Sequence, residues 1–177
     1  MFHKSYIFRI FAKAKVTKIF IFTMDSRTKL NFPPIKLNAC EEHGRTMVYD
    51  KVRNTYIVLT PEEWVRRHLV EYLISYCGAP LRSIVEEYPV NLNSMAQRAD
   101  VVVMDSSAAP LMLAECKAPN INFKSKTILQ EVFLQLTRYN AIIKARYICI
   151  TNGLLHYCWE YTPDGYKPLN GFPRLDL

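Results

Sequence analysis

Two almost wholly apolar runs, residues 99–104 and 111–116, flank the segment Asp-Ser-Ser-Ala-Ala-Pro, whose composition is typical of a turn. Each run has a strand's length and is too short for a stable helix. Alternate residues point to opposite faces of a strand, and here both faces are apolar. The hairpin must therefore be covered on both sides, which requires a layered fold with this hairpin at its centre.

Folding the two runs back about the midpoint between Ser107 and Ala108 places Asp100 opposite Glu115. Lys117 then shares their face, while Cys116 points away. Two carboxylates on neighbouring buried strands repel each other unless a cation lies between them. Mg²⁺ is typically held by one or two carboxylates, and the water that it binds loses a proton readily. The pattern predicts a divalent-cation site with Lys117 beside it to orient water or stabilise phosphate charge.

A plainer interpretation stays open for these residues. An acid two positions before a lysine is a common pattern, and Glu115 and Lys117 can be the solvated end of a strand. The apolar context argues against this, because charges on inner strands are costly to bury without a function.

The flanking sequence predicts further strands and two helices. Thr60-Pro-Glu-Glu indicates a helix start, with Thr60 as N-cap and Glu63 completing a capping box. The predicted elements are a hairpin over 46–49 and 55–59, a helix over 61–77, a strand over 83–92, a helix over 126–141, and a hairpin of strands 147–151 and 154–161 around Asn152-Gly153. We expect residues 163–177 to be a loop-like tail. The expected fold class is α/β (α+β), a mixed central sheet flanked by helices, preceded by an N-terminal β-hairpin.

Composition and charge predict how the chain is divided into segments and in which cellular compartment it functions. Five basic residues and no acidic one precede Met24, so the net charge of +7 leaves the remainder nearly balanced. Residues 1–23 are expected to be a disordered leader or to precede the functional start, with export as the alternative. We expect residues 24–60 to form an N-terminal extension with a hairpin, and residues 61–162 to form the core. Five cysteines without a C-x-x-C pair predict reduced thiols and a cytoplasmic protein, and no transmembrane segment is indicated.

Five motifs in order resemble the PD-(D/E)XK nuclease family and, within it, the N-terminal nuclease domain of type I restriction enzyme R subunits. They are Thr60-Pro-Glu-Glu-Trp-Val-Arg, Arg98-Ala-Asp-Val-Val-Val-Met, Glu115-Cys-Lys-Ala-Pro, Gln135-Leu-Thr-Arg-Tyr-Asn and Thr151-Asn-Gly. The resemblance implies a restriction-endonuclease-like fold and a Mg²⁺-dependent endonuclease, with Mn²⁺ as a substitute. It departs from the family at Ala99, where the family name has proline, and no helicase motor is present, so ATP-driven restriction by this chain alone is not expected.

The resemblance also implies roles for individual residues. Asp100, Glu115 and the Cys116 carbonyl would bind the metal, Lys117 would be catalytic, and Gln135 and Tyr139 would line the site. Packing explains Gln135 and Tyr139 equally well, because they lie at i and i+4 on one helix face. A first-helix acid such as Glu63 would add a metal ligand, although helix capping alone also explains it.

The expected partners are DNA and restriction-modification-type subunits, with a homodimer as one arrangement. Basic residues around the second predicted helix can follow a phosphate backbone or be an ordinary solvated face. They are Lys124, Lys126, Arg138, Lys144 and Arg146. The competing hypothesis to an enzyme is a catalytically silent module that binds nucleic acid or protein.

Overall fold

The computed structural model describes residues 19–22, 29–92, 95–175 and 177. Its smaller sheet is antiparallel, in the order β1-β2-β3-β4. The strands are β1 Ile19–Phe22, β2 Leu37–Glu42, β3 Arg45–Asp50 and β4 Thr55–Val58. The predicted hairpin is thus β3–β4, and it lies in a larger sheet than the sequence indicated.

The central sheet has six strands in the order β10-β9-β8-β7-β6-β5. They are β5 Ile84–Leu92, β6 Met95–Met104, β7 Pro110–Cys116, β8 Tyr147–Thr151, β9 His156–Thr162 and β10 Gly165–Leu169. Strands β7 and β8 are parallel, whereas every other neighbouring pair is antiparallel. A parallel pair needs a long crossover connection, which here contains a helix.

Two helices cover this sheet. Helix α1 spans Pro61–Ser75, and the Thr60 side chain accepts a hydrogen bond from the Glu63 backbone N–H. The return half of a capping box is absent, because the Thr60 N–H donates to the Val58 carbonyl. Helix α2 spans Lys126–Ile143 between β7 and β8, and a short 3₁₀ helix, Leu81–Ser83, precedes β5. No helix among the described residues is long and apolar enough to cross a membrane.

The β6–β7 hairpin lies between two apolar layers. Val101, Val103 and Met112 belong to the cluster that contains the α1 side chains. Val102 and Leu113 belong to the cluster that contains the α2 side chains. The predicted two-sided burial and the predicted mixed sheet flanked by helices are confirmed.

Several boundaries differ from prediction. The segment predicted as a loop-like tail contains β10, which pairs with β9 and extends the central sheet. Residues 19–22, assigned to the leader, form β1 and pair with β2, whereas residues 1–18 and 23–28 lie outside the described part of the chain. Alternation along β7 would place Leu111 and Leu113 on the same face. Leu111 instead packs against the α1 cluster, near an irregularity in the β6–β7 pairing.

The turn at Asn152 is longer than the expected two-residue turn. Its side-chain oxygen accepts hydrogen bonds from the N–H groups of Leu154 and Leu155, so β9 begins only at His156. Gly153 has φ +81°, and a Cβ there would lie 2.7 Å from the Leu30 side chain. The Asn-Gly pair thus serves a wide loop that closes against the N-terminal extension.

Candidate active site

The β6–β7 register brings the predicted acids to one end of the hairpin. Val101 pairs with Ala114, Val102 with Leu113 and Val103 with Met112. Continuing this register by one residue sets Asp100 opposite Glu115, as the sequence predicted. The turn after Met104 therefore determines which acids meet.

The Asp100 carboxylate has a partner on each oxygen. Its Oδ1 accepts from Arg66 Nη2 at 2.7 Å, and its Oδ2 accepts from the Cys116 backbone N–H at 2.7 Å. Burial raises the pKa of Asp100, while Arg66 and the Cys116 N–H act against this rise. Asp100 is thereby fixed in orientation by helix α1 and strand β7.

Glu115 is held differently. Its Oε1 accepts from Lys117 Nζ at 2.7 Å and from Gln135 Nε2 at 2.9 Å. Its Oε2 is buried and has no hydrogen-bond partner among the described residues. Burial and then the charge of Asp100 raise the pKa of Glu115 to about 7. This oxygen is the part of the site that a proton or a cation would satisfy.

Lys117 follows the end of β7, and its backbone N–H donates to the Thr151 carbonyl of β8 at 2.9 Å. Burial would lower the pKa of the Lys117 ammonium, but the adjacent Glu115 carboxylate outweighs that effect and raises it. A quarter of the side chain reaches solvent, with an exposure of 23%. Lys117 is therefore a charged ammonium that connects the buried acid to the surface.

Gln135 and Tyr139 on α2 reach the same acid. Gln135 Nε2 lies 3.1 Å from the Tyr139 hydroxyl, which donates to Gln97 Oε1 at 3.4 Å. Tyr139 is also part of the apolar α2 cluster. The Tyr139 ring thus packs in the core, while the Gln135 amide contacts Glu115 and the Tyr139 hydroxyl contacts Gln135.

Glu63 lies in a different environment from the one expected for a metal ligand. Its Oε1 is 3.0 Å from Arg53 Nη2 and 2.7 Å from Arg66 Nη1, and its Oε2 is 3.5 Å from Arg67 Nε. The neighbouring acid on α1 is Glu62, and its pKa responds to the site. Burial and then the charge of Asp100 raise the pKa of Glu62. Glu63 is thus paired with three arginines, whereas Glu62 is influenced by the charge of Asp100.

Residues that the sequence analysis did not single out complete the surroundings. Arg66 contacts Asp100 and Glu87, and Glu62 lies near Arg66. Gln97 accepts a hydrogen bond from Tyr139. One signal for Arg66 was available, since an arginine next to the apolar stripe of α1 needs a buried counter-charge. The positions of Glu87 and Gln97 depend on how β5 and β6 pair, which local pattern does not reveal.

The donors present suit a hard divalent ion. Within the described ranges, no three side chains of His, Cys, Asp or Glu are placed to hold one metal ion together. Mg²⁺ commonly takes only one or two carboxylates and completes its coordination with carbonyls, water and substrate phosphate. Asp100 together with the unpartnered Glu115 oxygen meets that requirement.

Comparison with known proteins agrees with the family resemblance. The family model described as type I restriction enzyme R protein N terminus (HSDR_N) matches residues 61–173. No curated protein matches the chain. The match includes both helices, the whole central sheet and every candidate site residue discussed above except Arg53. The chain therefore belongs to the family of type I restriction enzyme R protein N-terminal domains.

Proposed function

We propose that this domain is a metal-dependent nuclease that hydrolyses DNA phosphodiester bonds at the Asp100–Glu115–Lys117 centre. The observation that carries the proposal is the buried Glu115 Oε2, which has no hydrogen-bond partner in the described part of the chain and lies beside a second acid. An unpaired buried carboxylate oxygen is costly, and a divalent cation would relieve that cost. Family membership supports DNA as the substrate and restriction-modification-type subunits as partners.

Each residue would have a defined task. Asp100, Glu115 and the Cys116 carbonyl would hold Mg²⁺, or Mn²⁺ in its place. The bound ion would supply an activated water and neutralise charge on the attacked phosphate. Lys117 presents its ammonium at the exposed edge, where it would stabilise the phosphate charge that develops during cleavage. Gln135 holds Glu115 in place, and Tyr139 holds Gln135.

The direct test is DNA cleavage by the purified chain. Supercoiled and single-stranded DNA are incubated with Mg²⁺ or Mn²⁺, using wild type, Asp100→Ala, Glu115→Gln and Lys117→Met. Removing one preorganised charged donor such as Lys117 typically costs about 10²–10³-fold in rate, and we expect a loss of at least that size when an acid that holds the ion is replaced. Matched controls are Lys167→Met and Glu131→Gln, whose exposed side chains lie on β10 and α2 and should leave cleavage unchanged.

A binding module without catalysis is the second candidate, and one observation favours it. Both Asp100 oxygens already accept a hydrogen bond from the protein, one from Arg66 and one from the Cys116 N–H. In the same experiment, DNA that is bound but left uncut by wild type and variants alike would support the module and contradict the nuclease. Chelation by EDTA should stop cleavage if the nuclease proposal is correct.

A further inference from the structure

The guanidinium of Arg66 is the centre of a group of four carboxylates beside the proposed metal site. Its Nη1 lies 2.7 Å from Glu63 Oε1 and 2.5 Å from Glu87 Oε1, and its Nη2 lies 2.7 Å from Asp100 Oδ1 and 3.6 Å from Glu62 Oε1. Only 4% of the Arg66 side chain is exposed. One buried cation therefore serves acids from helix α1, strand β5 and strand β6.

The backbone of β5 is distorted where it supplies one of these acids. Glu87 has φ +53°, in the left-handed region that side chains other than glycine rarely adopt. Its neighbours Glu86 and Tyr88 pair with Val101 and Ala99, which sets Glu87 level with Asp100. Strain of this kind persists only where the surrounding structure enforces it, and it is concentrated at functional sites. Here it accompanies a Glu87 carboxylate that reaches Arg66.

Four carboxylates at this spacing repel one another strongly unless a cation lies among them. A divalent ion could supply that charge, but arginine supplies it permanently, because the guanidinium does not lose its proton in proteins. Its fork of N–H donors also fixes the direction of each carboxylate it contacts. Asp100 is therefore held in a fixed orientation at the metal site by Arg66 and the Cys116 N–H, with its remaining lone pairs available.

We propose that Arg66 is a built-in cation of this centre, which positions Asp100 and occupies the place that a second metal ion would take. The centre would then bind one divalent ion, held by Asp100 and Glu115, while Glu63 and Glu87 stay with Arg66. The inference rests on the proposed function for the identity of that one ion. The ion pairs of Arg66 with Glu63 and Glu87 are a separate feature, and Asp100 is the acid that they share with the proposed metal site.

The test is a calorimetric Mn²⁺ titration of the chain after EDTA treatment and dialysis. We expect one Mn²⁺ per chain for wild type, two for Arg66→Met, and one again for the double variant Arg66→Met/Glu87→Gln. Arg66→Lys keeps a positive charge and should also bind one. Arg98→Met is the matched control, since Arg98 lies 3.7 Å from Glu87 but is 72% exposed, and it should bind one ion.

Two results would overturn the proposal: two Mn²⁺ ions on wild type, or an Arg66→Met variant that is folded by circular dichroism yet binds as many ions as wild type. Two Mn²⁺ ions on wild type would overturn it even if Arg66→Met does not fold. Failure of the proposed function looks different, because wild type would then bind Mn²⁺ no better than Asp100→Ala and Glu115→Gln do. Gain of an ion in Arg66→Met that depends on Glu87 would remain measurable in that case.

Discussion

The Asp100 carboxylate is held from helix α1, and its surroundings are rich in arginine. The Glu115 carboxylate, in contrast, is contacted by the Gln135 amide of α2 and by a single lysine, Lys117, which follows β7. On the α1 side, Arg53, Arg66 and Arg67 link Asp50, Glu63, Glu86, Glu87 and Asp100 into one buried ionic network. On the α2 side, Glu115 Oε2 has no hydrogen-bond partner among the residues that the structure describes. Glu63 Oε2 and Glu86 Oε2 in the arginine-rich network also lack a hydrogen bond, but they lie 3.5 Å and 3.0 Å from an arginine nitrogen. The comparison indicates that Asp100 is neutralised by arginine within the fold, whereas Glu115 keeps an oxygen that is available to a ligand.

The strongest test of this contrast is removal of a cation from the α1 side. Arg67 Nη1 lies 2.7 Å from Asp50 Oδ1, Arg67 Nη2 contacts Glu86, and the three side chains are at most 3% exposed. Arg67→Met leaves two buried carboxylates without this partner, so we expect the free energy of unfolding to fall by about 3–5 kcal/mol. Urea unfolding followed by circular dichroism measures it.

The matched control for that experiment is Arg146→Met. Arg146 pairs with Glu160 at 2.8 Å on the surface and is 62% exposed, so its loss should cost about 0–1 kcal/mol. Equal losses from the two variants would show that the buried network stabilises the fold no more than an exposed pair does.

The contribution of Glu115 to the free energy of unfolding should change with pH in the opposite sense from that of an ordinary ion-paired carboxylate. The pKa of Glu115 is raised from 4.5 to about 7, so the folded state binds the Glu115 proton more tightly than the unfolded state does. Its contribution is present below pH 4.5 and is lost as pH rises through about 7. In the metal-free protein, Glu115→Gln should gain on wild type by up to about 3 kcal/mol between pH 4.5 and 8.

The measurement is urea unfolding of both proteins in EDTA across that pH range. Glu131→Gln, a substitution at an exposed position of α2, is the control and should track wild type at every pH. A wild-type to Glu115→Gln difference that stays constant with pH would mean that Glu115 ionises normally. The inference that Glu115 keeps an oxygen available to a ligand would then be wrong.

The smallest effect is expected from the polar end of Tyr139. Tyr139→Phe keeps the buried ring and removes only the hydroxyl that contacts Gln135 and Gln97. The free energy of unfolding should fall by about 0.5–1.5 kcal/mol, the usual net value of a hydrogen bond. Tyr161→Phe, on an exposed tyrosine of β9, should change it less. A loss well above this range would indicate that the hydroxyl does more than support Gln135.

Much of the site was predictable because it depends on local rules. Alternation along β6 and β7, with a turn between them, is enough to place Asp100 opposite Glu115 and to turn Cys116 away. Helical spacing is enough to put Gln135 and Tyr139 on one face, and the Thr60 cap fixes where α1 starts. The family followed from the order of these motifs, and the family match confirms it.

Local rules do not predict whether Glu63 faces the site. Adjacent helix residues point about 100° apart, so whether Glu62 or Glu63 faces the site depends on how α1 is rotated on the sheet. In the structure the arginines of α1 form long-range ion pairs, Arg66 with Glu87 and Asp100, and Arg67 with Glu86. Strand β10 escaped prediction for a similar reason: its pairing with β9, rather than an apolar run of its own, makes it a strand.

The sequence by itself determined the hairpin, its register and the acid–acid–lysine set, because period-two alternation and turn chemistry act between near neighbours. Only the tertiary structure decided which cation each acid receives. Asp100 is satisfied by an arginine 34 residues away, and Glu115 is left with an unpartnered oxygen among the described residues. Charges interact through space rather than along the chain, so their balance emerges only when the helices are packed on the sheet.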